Sequence, residues 1–183
     1  MSGWYYLMAQ LPALSSDTEI PLPVTEEYFS DLCARFMDKK SLKILKSLSL
    51  EPPRDEKRTG SAFIDSWYSW ERQLRLSLAV IRAGRLNKSF STDNLSFPAD
   101  VQQTARTACG FDSPLEAEVF LNNARMEMIS RLSPTDGFST DAVFAYALKL
   151  KLLIRIRKFN EEAGISSYRK IYEKILENSV RTA

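Results

Sequence analysis

Apolar residues recur along most of the chain at helical spacing. Phe29, Leu32, Cys33 and Phe36 stand at i, i+3, i+4 and i+7, which is one face of an amphipathic helix. Thr25 ahead of this run is a suitable N-cap, Val24 and Phe29 are placed as a hydrophobic staple, and Glu26 and Glu27 suit the positive helix end. Asp38 is expected to cap a second, short helix that turns Leu42, Leu45 and Leu48 inward and Lys39, Lys40, Lys43 and Lys46 outward, with Pro52-Pro53 closing it. Phe63, Trp67, Trp70, Leu74, Leu78 and Ile81 then follow in steps of four and three, predicting a long helix over 61–85 with an aromatic core face. Within it Glu71 and Arg75 form an i, i+4 pair, worth only about 0.3–0.5 kcal/mol as a surface contact.

The polar residues 87–97 lack period and read as a loop. Pro98 opens a short helix toward Cys109, ended by Gly110, with Phe111 placed to make the hydrophobic contact of a C-terminal cap. Ser113-Pro114-Leu115-Glu116 is the strongest local signal: a capping box with proline in the first turn. The helix it opens carries Ala117, Leu121, Ala124, Met128 and Leu132 on one side, with Met126 and Met128 as core fillers. Ser139 is the next N-cap, with Phe138 and Val143 in staple positions. Residues 148–158 alternate apolar and basic, a strand pattern, but the alternation slips at Leu152-Leu153 and the upstream segment is rich in Ala and Leu. We therefore read one helix through to Gly164, with Ile165 as its cap contact. A last helix opens at Ser166 and carries Tyr168, Ile171 or Tyr172, Ile175 and Ser179. At the other end, the aromatic segment stopped by Pro12 reads as one extended strand or a buried arm. The expected fold is an all-α multi-helix bundle with a short N-terminal extended segment. It forms a single helical domain over 1–183: arm 1–14, helical hairpin 25–49, long helix 61–85 and C-terminal helices 98–183.

Composition narrows the chemistry. The chain has 183 residues, 44% hydrophobic and 26% charged, a globular profile. It has no histidine, which excludes His-based triads, His metal sites and imidazole switches. Cys33 and Cys109 lie far apart; they could form one disulfide but read better as reduced thiols, Cys33 as a small core residue. The six glycines form no phosphate-binding loop, and Glu26-Glu27 and Glu161-Glu162 belong to helix ends. No catalytic residue, cofactor site or metal site is assigned, and the chain is read as non-enzymatic. No basic residue precedes Arg35 and no apolar run is long enough for a span, so a cytoplasmic location is expected.

Net charge is only +2, but it is unevenly distributed. Residues 1–53, 54–88, 89–140 and 141–183 sum to −2, +4, −4 and +4. Arg72, Arg75, Arg82 and Arg85 share much of one side of the long helix, and Lys151, Arg155 and Lys158 stand at i, i+4 and i+7 on a later one. These faces are either solvated and paired internally with 89–140, or they recognise an acidic protein partner or an RNA backbone. A protein is favoured over nucleic acid, because no RNA-binding signature accompanies the arginines and the neighbouring aromatics fall on the core stripe.

Several stretches carry a resemblance in the same order along the chain: YYLMAQLPAL, WERQLRLSLAVIRAGRL, LEAEVFLNNARMEMI and FSTDAVFAYALKLKLLIRIRKFNEEAGISSYRKIYEKIL. Together they resemble a bacterial family encoded beside V-type (A-type) ATPase genes, itself similar to a shortened form of the C-type, or d-type, subunit of rotary ATPases. The resemblance implies a non-enzymatic helical subunit seating the central stalk on the membrane rotor ring in ion-coupled ATP synthesis or hydrolysis. Its partners would be stalk and rotor subunits, without direct nucleotide or nucleic-acid binding. It would be peripheral on the cytoplasmic face through the complex, with no transmembrane segment of its own. A free-standing helical adaptor is the competing expectation, with RNA binding third.

Overall fold

Side-chain caps set where most of the helices start. A computed structural model describes residues 4–17, 20–55, 57–88, 96–158 and 161–181, with only the helical backbone for 161–163 and 176–181. The described residues form eight helices and no strand: α1 Trp4–Gln10, α2 Glu26–Phe36, α3 Lys39–Ser47, α4 Ala62–Arg85, α5 Ala99–Gly110, α6 Pro114–Leu132, α7 Thr140–Arg157 and α8 Glu161–Arg181. Thr25, Asp38, Ser61, Ser113 and Ser139 each accept a hydrogen bond from the third backbone N–H beyond them. Those N–H groups lack intrahelical partners, so each cap both starts a helix and removes a cost. The Ser41 hydrogen bonds hold the Asp38 carboxyl below its usual range.

α4 ends with a different device. Asn87 takes φ +51°, while Asn87 N–H donates to Gly84 C=O and Lys88 N–H to Ala83 C=O. This is a Schellman cap with asparagine in the left-handed position. Of the expected 87–97 loop, residues 89–95 lie outside the described residues.

The N-terminal segment is a helix, not the extended arm expected. Trp4, Leu7, Met8 and Leu11 stand at i, i+3, i+4 and i+7; Leu7 is fully buried and the others are packed against the core. The aromatic run favours a strand by propensity, but tertiary packing against α2 decides the conformation. The chain after α1 is tied down where the Tyr146 hydroxyl donates to Pro12 C=O.

α7 passes through the middle of the bundle, packed against α3, α4 and α6. Val143, Phe144, Ala147, Leu148, Leu150, Leu152 and Leu153 are all buried, which accounts for its weak one-sidedness: a helix enclosed on several sides is apolar nearly all round. The helix reading of 148–158 is thus correct, and Lys149 and Lys151 create the misleading alternation while staying half-buried. The expected boundary is not. α7 stops at Arg157, capped at Lys158, and α8 begins at Glu161, so Gly164 and Ser166 lie inside a helix. Residues 159–160 of the expected continuous helix lie outside the described residues. Two glutamates in the first turn favour a start at 161, and one internal glycine costs only about 1 kcal/mol. Phe111 and Phe138, expected at helix ends, each meet an aromatic ring of another helix. Phe111 sits against Phe120 of α6, and Phe138 against Tyr5 of α1.

The core has two parts. A larger cluster gathers α1, α2, α3, the first half of α4, the C-terminal half of α6, and α7, and a smaller one gathers Leu74, Leu78, Val101, Ala105, Ala108, Cys109 and Leu121. Trp70 packs against both. Trp67 is fully buried in the larger, so Trp67→Ala should cost about 3–5 kcal/mol, with half-buried Trp70→Ala costing less. Urea unfolding of the two variants checks this; an unchanged midpoint for Trp67→Ala would contradict the core assignment.

Candidate functional site

Where the two apolar clusters meet, the interior is charged. Glu71 follows Trp67 by four residues and precedes Leu74 by three, so the geometry of α4 turns it inward. Arg125 of α6 likewise follows Leu121 by four and precedes Met128 by three. Glu71 is 0% exposed and Arg125 4%. Each would be prohibitively unstable alone in this setting, and pairing makes their burial tolerable.

The pairing is two-pronged. Arg125 Nε donates to Glu71 Oε2 at 3.1 Å and Nη2 donates to Oε1 at 3.1 Å, the fork geometry that suits guanidinium and carboxylate. Arg75 Nε donates to Glu71 Oε1 at 2.8 Å. The other side of Arg125 is also satisfied, Nη1 donating to Asn122 Oδ1 at 3.3 Å and to Glu118 Oε1 at 3.4 Å. Glu118 in turn accepts from Arg155 of α7, and Arg75 Nη2 reaches Glu51 at 3.3 Å. Charges therefore alternate from the 48–60 segment through α4 and α6 to α7. Burial works against the Arg75 cation, but the bond and charge of Glu71, aided by Glu51, outweigh it and raise its pKa.

This arrangement corrects the reading of Glu71–Arg75 as a surface pair: its carboxylate is buried, and its principal partner is Arg125. Arg125 was not singled out in the sequence, although the signal was present. A charged residue on an inward stripe, with an opposite charge on the inward stripe of another helix, is the pattern of a buried pair.

The candidate partner-binding residues divide. Arg75 belongs to the network, Arg155 holds Glu118, Lys151 pairs with Glu26 of α2, and Arg72 donates to Pro53 C=O at 2.9 Å. Arg82 and Arg85 at the end of α4, and Lys158 after α7, are exposed. Arg72 also lines a shallow groove of about 370 Å³ with Lys57 and Arg58, where Asp55 and Asp65 offset two of the three positive charges. Both cysteines are buried, and desolvation pushes the Cys33 thiol up to about 12, a setting that disfavours thiolate chemistry. Among the described residues, no group of three His, Cys, Asp or Glu side chains could hold a metal ion. Comparisons with protein-family models, curated proteins and solved structures give no match.

The network fixes the positions of three helices through paired charge. Removing Arg125 alone leaves a buried carboxylate short of its main partner. Arg125→Met should therefore cost about 3–5 kcal/mol, and Glu71→Met combined with Arg125→Met should recover most of that loss. Chemical denaturation of the single and double variants checks both. Arg155→Glu would set a second carboxylate against Glu118, so it is expected to lower the thermal midpoint as well as alter the surface; an unchanged midpoint would show that the α6–α7 link carries no weight.

Proposed function

We propose that the chain is a non-enzymatic component of a V/A-type ATPase, similar to its C-type (d-type) subunit, linking the central stalk to the membrane rotor ring. The observation that carries the reading is where the resembling stretches fall. WERQLRLSLAVIRAGRL supplies Glu71 and Arg75, LEAEVFLNNARMEMI supplies Glu118, Asn122 and Arg125, and the stretch from Phe138 supplies Arg155. The first stretch contains Pro12, whose carbonyl accepts from Tyr146 of the last. Segments separated along the sequence thus converge on one interior network and one packed body.

A connector in a rotary machine must transmit torque without yielding. Paired charges across α4, α6 and α7 suit that role, because a bidentate pair resists sliding and rotation that an apolar contact tolerates. Among the described residues no helix is long and apolar enough to cross a membrane, which is compatible with attachment through other subunits. Arg82, Arg85 and Lys158 are the exposed members of the basic faces and the positions at which acidic groups of a stalk or rotor subunit would be met.

Tagged full-length chain incubated with purified stalk and rotor subunits should retain at least one of them, and retention should fall with salt because exposed charges are screened over about 8 Å at physiological ionic strength. Combining Arg82→Glu, Arg85→Glu and Lys158→Glu should weaken retention about tenfold or more with circular dichroism unchanged. The chain should show no saturable micromolar ATP binding. Failure to retain any ATPase subunit, or a saturable nucleotide isotherm, would overturn the proposal.

A further inference from the structure

α3 turns a face of lysines to solvent. At about 100° per residue, Lys39, Lys40, Lys43 and Lys46 fall within roughly 120° of arc, opposite the side that carries Leu45 and Leu48 inward. All four lysines are exposed, and the helix holds no acid. Over residues 26–47 the charges nearly balance, four acids to five bases, so the excess is local to α3: Glu26, Glu27 and Asp31 belong to α2, and Lys151 of α7 takes Glu26. The arrangement works against the helix. Lys39 and Lys40 sit in the first turn, where the positive helix end favours an acid. Lys39–Lys43, Lys40–Lys43 and Lys43–Lys46 are like charges three or four residues apart. Among the described residues no ion pair answers these lysines, and Asp38, which feels the charge of Lys40, accepts from Ser41 N–H as the cap.

Beside this face a crevice of about 180 Å³ opens between α2, α3 and α7. Buried Phe29, Leu45 and Leu150 form its apolar floor, and Lys46 and Lys151 stand at its rim with Glu26. Lys151 and Glu26 neutralise each other, which leaves Lys46 as the uncompensated charge at the mouth. A cation over an apolar crevice suits an anion that carries a hydrocarbon tail.

We propose that α3 lies against an anionic lipid surface, its lysines on the headgroup phosphates and Lys46 at the mouth of the crevice. Clusters of about four to eight cations on an amphipathic helix suit such a surface. A protein partner fits less well, because interfaces between proteins are depleted in lysine and anchored on large apolar groups, and α3 exposes none. Single-stranded nucleic acid needs aromatic platforms for its bases, and α3 has no aromatic residue. Where the chain grips one carboxylate by two prongs it uses arginine, as at Arg125. On α3 it uses lysine, a hydrated point charge that suits a diffuse field. This surface is independent of the ATPase reading, since a bare vesicle carries no ATPase subunit.

Full-length chain should co-sediment with vesicles of phosphatidylcholine mixed with phosphatidylglycerol, not with phosphatidylcholine alone, and raised salt should release it. Each lysine near an anionic surface contributes about fivefold to partitioning, so Lys40→Gln combined with Lys43→Gln should weaken binding about 25-fold. The thermal midpoint of that variant should be unchanged or higher, because like-charge repulsion on α3 is relieved. Lys170→Gln with Lys174→Gln removes the same charge from exposed positions on α8 and should leave binding nearly unchanged. A wild-type chain that ignores the anionic vesicles overturns the proposal. Equal loss in the two variants overturns it too, assigning the binding to net charge alone. Retention of an RNA oligonucleotide in place of the vesicles, lost with Lys40→Gln and Lys43→Gln, overturns it in favour of nucleic acid.

Discussion

The buried contact between Glu71 and Arg125 sets the terms for the rest of the bundle. A carboxylate and a guanidinium taken out of water lose several kcal/mol of hydration each, and only close, well-aligned pairing offsets this. The two side chains therefore accept very little relative movement between α4 and α6. Arg75 and Asn122 fill the remaining hydrogen-bonding sites, and Glu118 extends the constraint to Arg155 on α7. A buried pair of this kind is weak as a source of net stability. It is strong as a source of uniqueness, because any alternative packing of these helices would strand a charge.

The apolar clusters are arranged around that constraint. Trp67 lies on one side of Glu71 along α4 and Leu74 on the other, so each cluster ends where the carboxylate begins. Trp70 bridges both. α7 completes the larger cluster, and its enclosure explains why a helix with so little amphipathic contrast is well placed. At its N-terminus Ser61 donates to Asp141 at 2.7 Å, so the starts of α4 and α7 are joined as well as their interiors.

Much of this was legible before the structure. Caps at Thr25, Asp38, Ser113 and Ser139 are local chemistry, decided within a few residues, and their positions were readable to the residue; Ser61 was legible only as the start of the long helix, not as its cap. The stripe from Phe63 to Ile81 was equally plain. Errors arose where the deciding partner is distant in sequence. Trp4, Leu7, Met8 and Leu11 have helical spacing, but aromatic strand propensity masked it until packing was known. Arg125 faces a glutamate 54 residues away, and no local rule distinguishes it from a surface arginine; only its place on the inward stripe does. The α7–α8 boundary was misplaced because Gly164 is a strong stop signal that α8 overrides. The basic faces illustrate the same difficulty. Spacing shows which residues share a side, while the acids that claim Lys151 and Arg155 come from α2 and α6.

The charge network makes α4, α6 and α7 one stiff unit, and α8, whose residues 164–175 are exposed, lies outside it. Native-state hydrogen exchange tests that claim most directly, because it reports the opening free energy of each segment. The account predicts that amides of α4 near Glu71, of α6 near Arg125 and of the middle of α7 exchange only through global unfolding and share one free energy. Residues 164–175 of α8 should exchange at far lower cost. If α6 instead opens well below the global free energy while α4 and α7 stay closed, the buried charge network does not bind these helices into one unit.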